Sequence, residues 1–139
     1  MKTVLRILNA AGGWHHGLSL RIENPPYMAL VIEATDESGP CGLPTLSVCH
    51  YSEHNGDALR DPEMLFEWSQ PLWLRPRLVP FAWRNDRLDT SDVSRWVEDT
   101  SYCFDPDRYD RHQYLAAVWD KCLAVQGYWT AFQRQRGPR

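Results

Sequence analysis

The chain has 139 residues, 43% hydrophobic and 12% aromatic with seven Trp, which excludes an intrinsically disordered chain and suffices for one core without metal or disulfide support. Its formal net charge of -3 offers no global field toward nucleic acid or an anionic membrane surface, so any partner is met through a local patch. Four cysteines, Cys41, Cys49, Cys103 and Cys122, form no C-x-x-C pair and read as packed thiols rather than bridges or zinc ligands.

At the start, Thr3 caps a short helix over about residues 3–11, with Val4, Leu5 and Leu8 at helical spacing and Gly12-Gly13 as its stop. Arg6 interrupts the apolar run, which therefore does not read as a secretory signal. No stretch approaches the roughly 18 apolar residues of a membrane span, and the expectation is a cytoplasmic protein. Trp14-His15-His16-Gly17 reads as a connector, because adjacent residues of an extended chain point to opposite faces and do not make a ligand pair.

From Leu18 the period becomes two. Leu18, Leu20 and Ile22 alternate with polar residues, Asn24-Pro25-Pro26 turns the chain, and Tyr27–Ala34 resumes as a strand burying Met28, Leu30 and Ile32. After a loop at 36–42, a third strand over Thr45–Tyr51 places Leu46, Val48 and His50 on one face. A fourth places Met64, Phe66 and Trp68 on one face with Glu63 and Glu67 on a wet opposite face, and a fifth covers 79–84. Residues 91–97 fit one or two helical turns.

Asp105-Pro106-Asp107 opens a C-terminal helix as cap, first-turn proline and acid. Leu115, Val118, Trp119, Cys122 and Val125 then form an apolar stripe that Gly127 closes, and residues 128–139 read as a frayed basic tail with Arg134, Arg136 and Arg139. The predicted fold is a single α+β domain over 1–139: an antiparallel β-meander of about five strands packed against a C-terminal helix and a short N-terminal helix.

Two stretches concentrate chemistry. His50, His54, Asp57, Asp61 and Glu63 lie within fourteen residues of one hairpin, with an exposed loop predicted from His54 to Asp61. Imidazole and carboxylate groups suit a divalent metal or a general acid/base pair. The same residues also serve a plain structural hairpin, in which Asn55-Gly56 supply positive φ, the aspartates bond their own turns and His50 donates at the edge of the core. The second stretch alternates rings and guanidinium groups: Trp73, Arg75, Arg77, Trp83, Arg84 and Arg87. These residue types are enriched at protein interfaces, and they can also stack single-stranded nucleic acid or simply alternate inward rings with outward charges.

The strings Glu23-Asn24-Pro25-Pro26-Tyr27-Met28, Leu30-Val31-Ile32-Glu33, His50-Tyr51, Asn55-Gly56-Asp57 and Arg60-Asp61-Pro62-Glu63-Met64 resemble a family of bacterial domains of unknown function carried on plasmids, phages and integrative elements. The resemblance covers about residues 18–86 and implies a genomic context rather than a reaction. It makes a small accessory or anti-defence protein the leading expectation.

The function expected is a non-enzymatic interaction module with a protein partner, without cofactor, metal or membrane attachment. An enzyme built on His50 to Glu63 and a single-strand binder built on the Trp/Arg stretch are the alternatives.

Overall fold

The computed structural model describes residues 1–137, so Arg139 of the basic segment lies outside the described residues. Three helices and eight strands follow one another as α1 (Lys2–Ala10), β1 (Ser19–Asn24), β2 (Tyr27–Ala34), β3 (Thr45–His54), β4 (Asp57–Ser69), β5 (Arg77–Asn85), β6 (Thr90–Val93), β7 (Arg95–Glu98), β8 (Ser101–Phe104), α2 (Pro106–Val125) and α3 (Tyr128–Arg136). Strands β1 to β6 form one antiparallel sheet in sequence order, and β7 with β8 forms a separate hairpin. The fold is α+β, with six meander strands where the sequence suggests five.

Alternation decides what each face of the sheet meets. Leu20, Ile32, Val48, Met64 and Trp83 stand in one cross-strand row, and Ile22, Leu30 and His50 in the next. That face carries the core: Ile22, Leu30, Ile32, Leu46, Val48, Met64 and Phe66 pack against Val4, Ile7 and Leu8 of α1, Trp119 and Leu123 of α2, and Tyr128 and Phe132 of α3. Each large side chain so covered contributes about 1.5–3 kcal/mol before entropy is subtracted. Met28, expected inside, is exposed near the start of β2.

The opposite face is less wet than its carboxylates imply. The loop at 36–44 and the β7–β8 hairpin lie over it, and Glu63 and Glu67 are buried there at 7% and 1% exposure. Glu67 joins these pieces. Its Oε2 accepts from the backbone N–H of Cys41 and Leu43, at 2.9 and 3.2 Å, while Oε1 accepts from Arg95 Nη1 at 2.7 Å. Arg95 also donates to the carbonyls of Pro80 and Val79, so a polar clasp fastens loop and hairpin to the sheet.

Three other segments depart from the sequence reading. Residues 91–97 are extended, in β6 and β7, rather than helical. The buried stripe of α2 is His112, Ala116, Trp119 and Leu123, leaving Val118, Cys122 and Val125 exposed. Residues from Tyr128 form a packed helix instead of a tail. Gly127, at φ 81°, ends α2 and is also the residue from which α3 starts. From α3, Gln135 covers the free edge of β1: it accepts from Glu23 N–H at 3.0 Å and donates to the Arg21 carbonyl at 2.6 Å. Among the described residues no helix is long and apolar enough to cross a membrane.

Candidate functional site

The β3–β4 connection is two residues long. Asn55 and Gly56, at φ 53° and 84°, make the left-handed turn that matches strand twist, and the pairs Tyr51 with Arg60 and His54 with Asp57 continue the ladder on either side. The loop expected from His54 to Asp61 is therefore strand, and the pleat sends its side chains apart. His54 and Asp57 are exposed at the tip. Asp61 accepts from Asn85 Nδ2 at 3.2 Å and lies 3.7 Å from Arg87.

His50 sits at a bulge and turns into the core. Its Nδ1–H donates to the Ala29 carbonyl at 3.0 Å, with Trp119 and Tyr128 rings 5.3 and 5.5 Å away. Burial lowers its pKa below the ordinary value and keeps it neutral. Glu63 faces the other side of the sheet, where Ser47 donates to Oε2 at 2.8 Å and Arg84 reaches Oε1 at 2.7 Å. Five residues close in sequence thus serve separate neighbourhoods. No group of three or more His, Cys, Asp or Glu side chains among the described residues could hold a metal ion.

Cys49, next to Glu63 on that face, is pushed up to about 12, first by burial and then by the carboxylate's charge. It is a thiol, not a thiolate, at neutral pH.

Sequence reasoning overlooked one trio. His112 of α2 hydrogen-bonds Ser94 Oγ through Nδ1 at 2.8 Å and donates from Nε2 to Asp92, whose other oxygen meets Arg111 at 2.8 Å. Burial opposes charge on Asp92, but the bonds from His112 and Arg111 outweigh it and hold the carboxyl below its usual value. Serine, histidine and aspartate are the residue types of an acyl-transfer triad. Ser94, however, is wholly buried, and no substrate carbonyl reaches its hydroxyl. The trio fastens α2 to the β6–β7 corner. No local sequence signal marks it, because its members come from a strand, a strand junction and a distant helix.

The Trp/Arg stretch also divides. Trp83 packs against the core, and Arg84 pairs with Glu63. Arg87, at the far end of β5, approaches Asp61. Trp73, Arg75 and Arg77 remain together at the β4–β5 connection and are exposed. Leu72, Trp73 and Leu74 are 92%, 93% and 67% exposed, forming an apolar tip. Beside it, a cleft of about 560 Å3 runs between the loop and α1, lined by Leu5, Trp68 and Pro76 and rimmed by Lys2, Arg6 and Arg75.

These features define an α+β protein, a six-stranded antiparallel meander roofed on one face by three helices and clasped on the other by a buried Glu67–Arg95 pair. The chain belongs to the family described as Domain of unknown function (DUF6908), whose profile matches residues 2–129. The match reaches from α1 into the start of α3, well beyond the 18–86 span that carries the recognisable strings. No curated protein and no solved structure matches the chain.

Proposed function

We propose that this chain is a non-enzymatic interaction module that binds another protein through the β4–β5 loop. The observation that carries the reading is the run of three consecutive large apolar side chains, Leu72, Trp73 and Leu74, left largely in water at 92%, 93% and 67% exposure. Covering side chains of this size is worth about 1.5–3 kcal/mol each, and contiguous apolar surface of this kind marks docking sites. Arg75 and Arg77 flank the tip, and tryptophan and arginine are the side chains on which interface energies concentrate.

The role as a small accessory or anti-defence protein of a mobile element is supported by the resemblance at residues 18–86. On this reading the contact surface centres on Trp73, Arg75 and Arg77. Trp83, Arg84 and Arg87 act in the fold, through the core and the pairs with Glu63 and Asp61.

Co-purification tests the proposal. Trp73→Ala is expected to weaken partner recovery by about tenfold or more, the loss of a hot-spot ring, with an unchanged melting temperature because the side chain packs on nothing. Undiminished recovery with Trp73→Ala and with Leu72→Ser/Leu74→Ser would rule the loop out.

A further inference from the structure

We propose that the cleft between α1 and the β4–β5 loop receives an acidic segment of the partner protein, while the Leu72–Leu74 tip seats on that partner's apolar surface. The inference rests on the binding role argued above and adds the chemistry of what is bound. Its ground is the distribution of unmatched charge.

Lys2, Arg6, Arg75 and Arg77 are exposed and take part in no ion pair among the described residues. The arginines elsewhere on the sheet are matched: Arg60 with Asp86, Arg84 with Glu63, Arg87 with Asp61 and Arg95 with Glu67. Among the described residues no carboxylate lines the cleft. Asp120, near the same end of the molecule, accepts from Thr3 N–H at 2.8 Å. Arg6 is held in place by stacking 4.1 Å above the Trp129 ring.

Exposed acids lie outside this lining, among them Glu53 and Asp57 at the β3–β4 turn, Asp89 after β5, Glu98 and Asp99 at the β7–β8 turn, Asp36 and Glu37 between β2 and β3, and Asp107 and Asp110 on α2. A chain of net charge -3 therefore turns an all-positive rim toward whatever meets the tip. Complementarity selects an acidic occupant, since a basic one would face several unpaired like charges at close range.

The shape of the site narrows the class. Leu5, Trp68 and Pro76 line a concave floor inside the rim, which accommodates an apolar side chain carried between acidic neighbours. A lipid surface is planar and would leave this hollow unfilled. Single-stranded nucleic acid needs successive rings to stack upon, and Trp73 is the exposed ring here, Trp68 being buried at 7% exposure.

The test uses a synthetic peptide carrying Asp and Glu around a Phe-Leu pair, with the same peptide bearing Lys at the acidic positions, phosphatidylserine-containing vesicles and an oligothymidylate as comparisons. The acidic peptide is expected to bind, more weakly as salt rises. Arg6→Glu/Arg75→Glu is expected to lower its affinity by about tenfold or more and to favour the Lys peptide. Lys2→Glu/Arg75→Glu is expected to do the same while leaving the Arg6–Trp129 stack in place.

Equal binding of the two peptides, binding to vesicles or oligonucleotide without the acidic peptide, or indifference to both charge reversals would overturn the inference. If Trp73→Ala abolishes partner recovery while the charge reversals leave it intact, the acidic occupant is refuted and the binding role stands. If these three variants and Leu72→Ser/Leu74→Ser all recover the partner as the parent chain does, both are refuted.

Discussion

Single residues set the stability of the helix-free face. Glu67 accepts from two backbone N–H groups and from Arg95 at 1% exposure, so Glu67→Ala leaves a buried guanidinium unpaired and is expected to cost about 3–5 kcal/mol in denaturant unfolding. Gly39 belongs to the same clasp. A Cβ there would lie 2.2 Å from Glu67 Cγ, and Glu67 cannot give way without losing its partners. Gly39→Ala is expected to destabilise by about 1–3 kcal/mol, with the Glu67–Arg95 pair loosened.

His50 imposes a pH dependence whose sign follows from its burial. The unfolded side chain takes up a proton near 6.5, whereas the folded one resists it. Between those two values the unfolded state binds more protons, so stability is full above about 6.5 and falls as pH drops through the window toward the folded pKa. Melting curves across that range are expected to show the loss in the parent chain and not in His50→Gln. A parent profile flat below 6.5 would contradict the burial argument. The sequence places His50 on the apolar face of its strand. What it does not reveal is the backbone carbonyl of Ala29 that receives its proton, because that contact is made across a register set by the β2–β3 pairing.

At the scale of elements, patterning reveals most where one face is apolar and the other polar. The alternation from Leu18 to Trp83 yields the meander, and Asp105-Pro106 yields the start of α2, where Arg108 N–H donates to the Asp105 side chain. Asp105→Ala is expected to lower stability by about 1 kcal/mol through that cap. The pattern misleads on α2 itself, because apolar residues lie all around it. Val118, Val125 and Tyr114 are exposed, while the inward row includes His112 and Ala116, neither of which hydrophobicity marks.

Strands β6 to β8 are four residues each and mix polar with apolar side chains, most of them exposed, so no period can be read from them. They are held to the rest of the fold by the Glu67–Arg95 clasp and by His112, both long-range. The hairpin is a comparable case: His54 to Asp61 has the composition of a loop, yet the two-residue turn at Asn55-Gly56 leaves the flanking residues in register. Helix α3 is hidden for another reason, since Gly127 reads as a stop although a left-handed residue also joins two helices. Gln135 gives α3 a further task at the β1 edge. Gln135→Ala is expected to cost about 1 kcal/mol and to promote association that grows with concentration in sedimentation experiments, because an unpaired strand edge invites pairing.

Over the whole molecule, composition predicts a protein without a global field, and the structure adds one local patch. Lys2, Arg6 and Arg75 line a cleft that among the described residues has no carboxylate, beside the apolar tip, while exposed acids are spread over the turns, the β2–β3 loop and α2. The sequence brought Trp73 together with Trp83 and Arg84 because they alternate along one stretch. The fold separates them, since Trp83 and Arg84 belong to opposite faces of β5 while residues 70–76 lie outside the sheet. What survives as a surface is the part that strand geometry does not use.

The most direct measurement of the proposed role is photocrosslinking in the cell of origin, with p-benzoylphenylalanine placed at Trp73 or, for comparison, at Glu53 on the acidic hairpin turn. A discrete protein adduct is expected from position 73 and none from position 53. No adduct at 73, or the same adduct at both positions, would contradict that role.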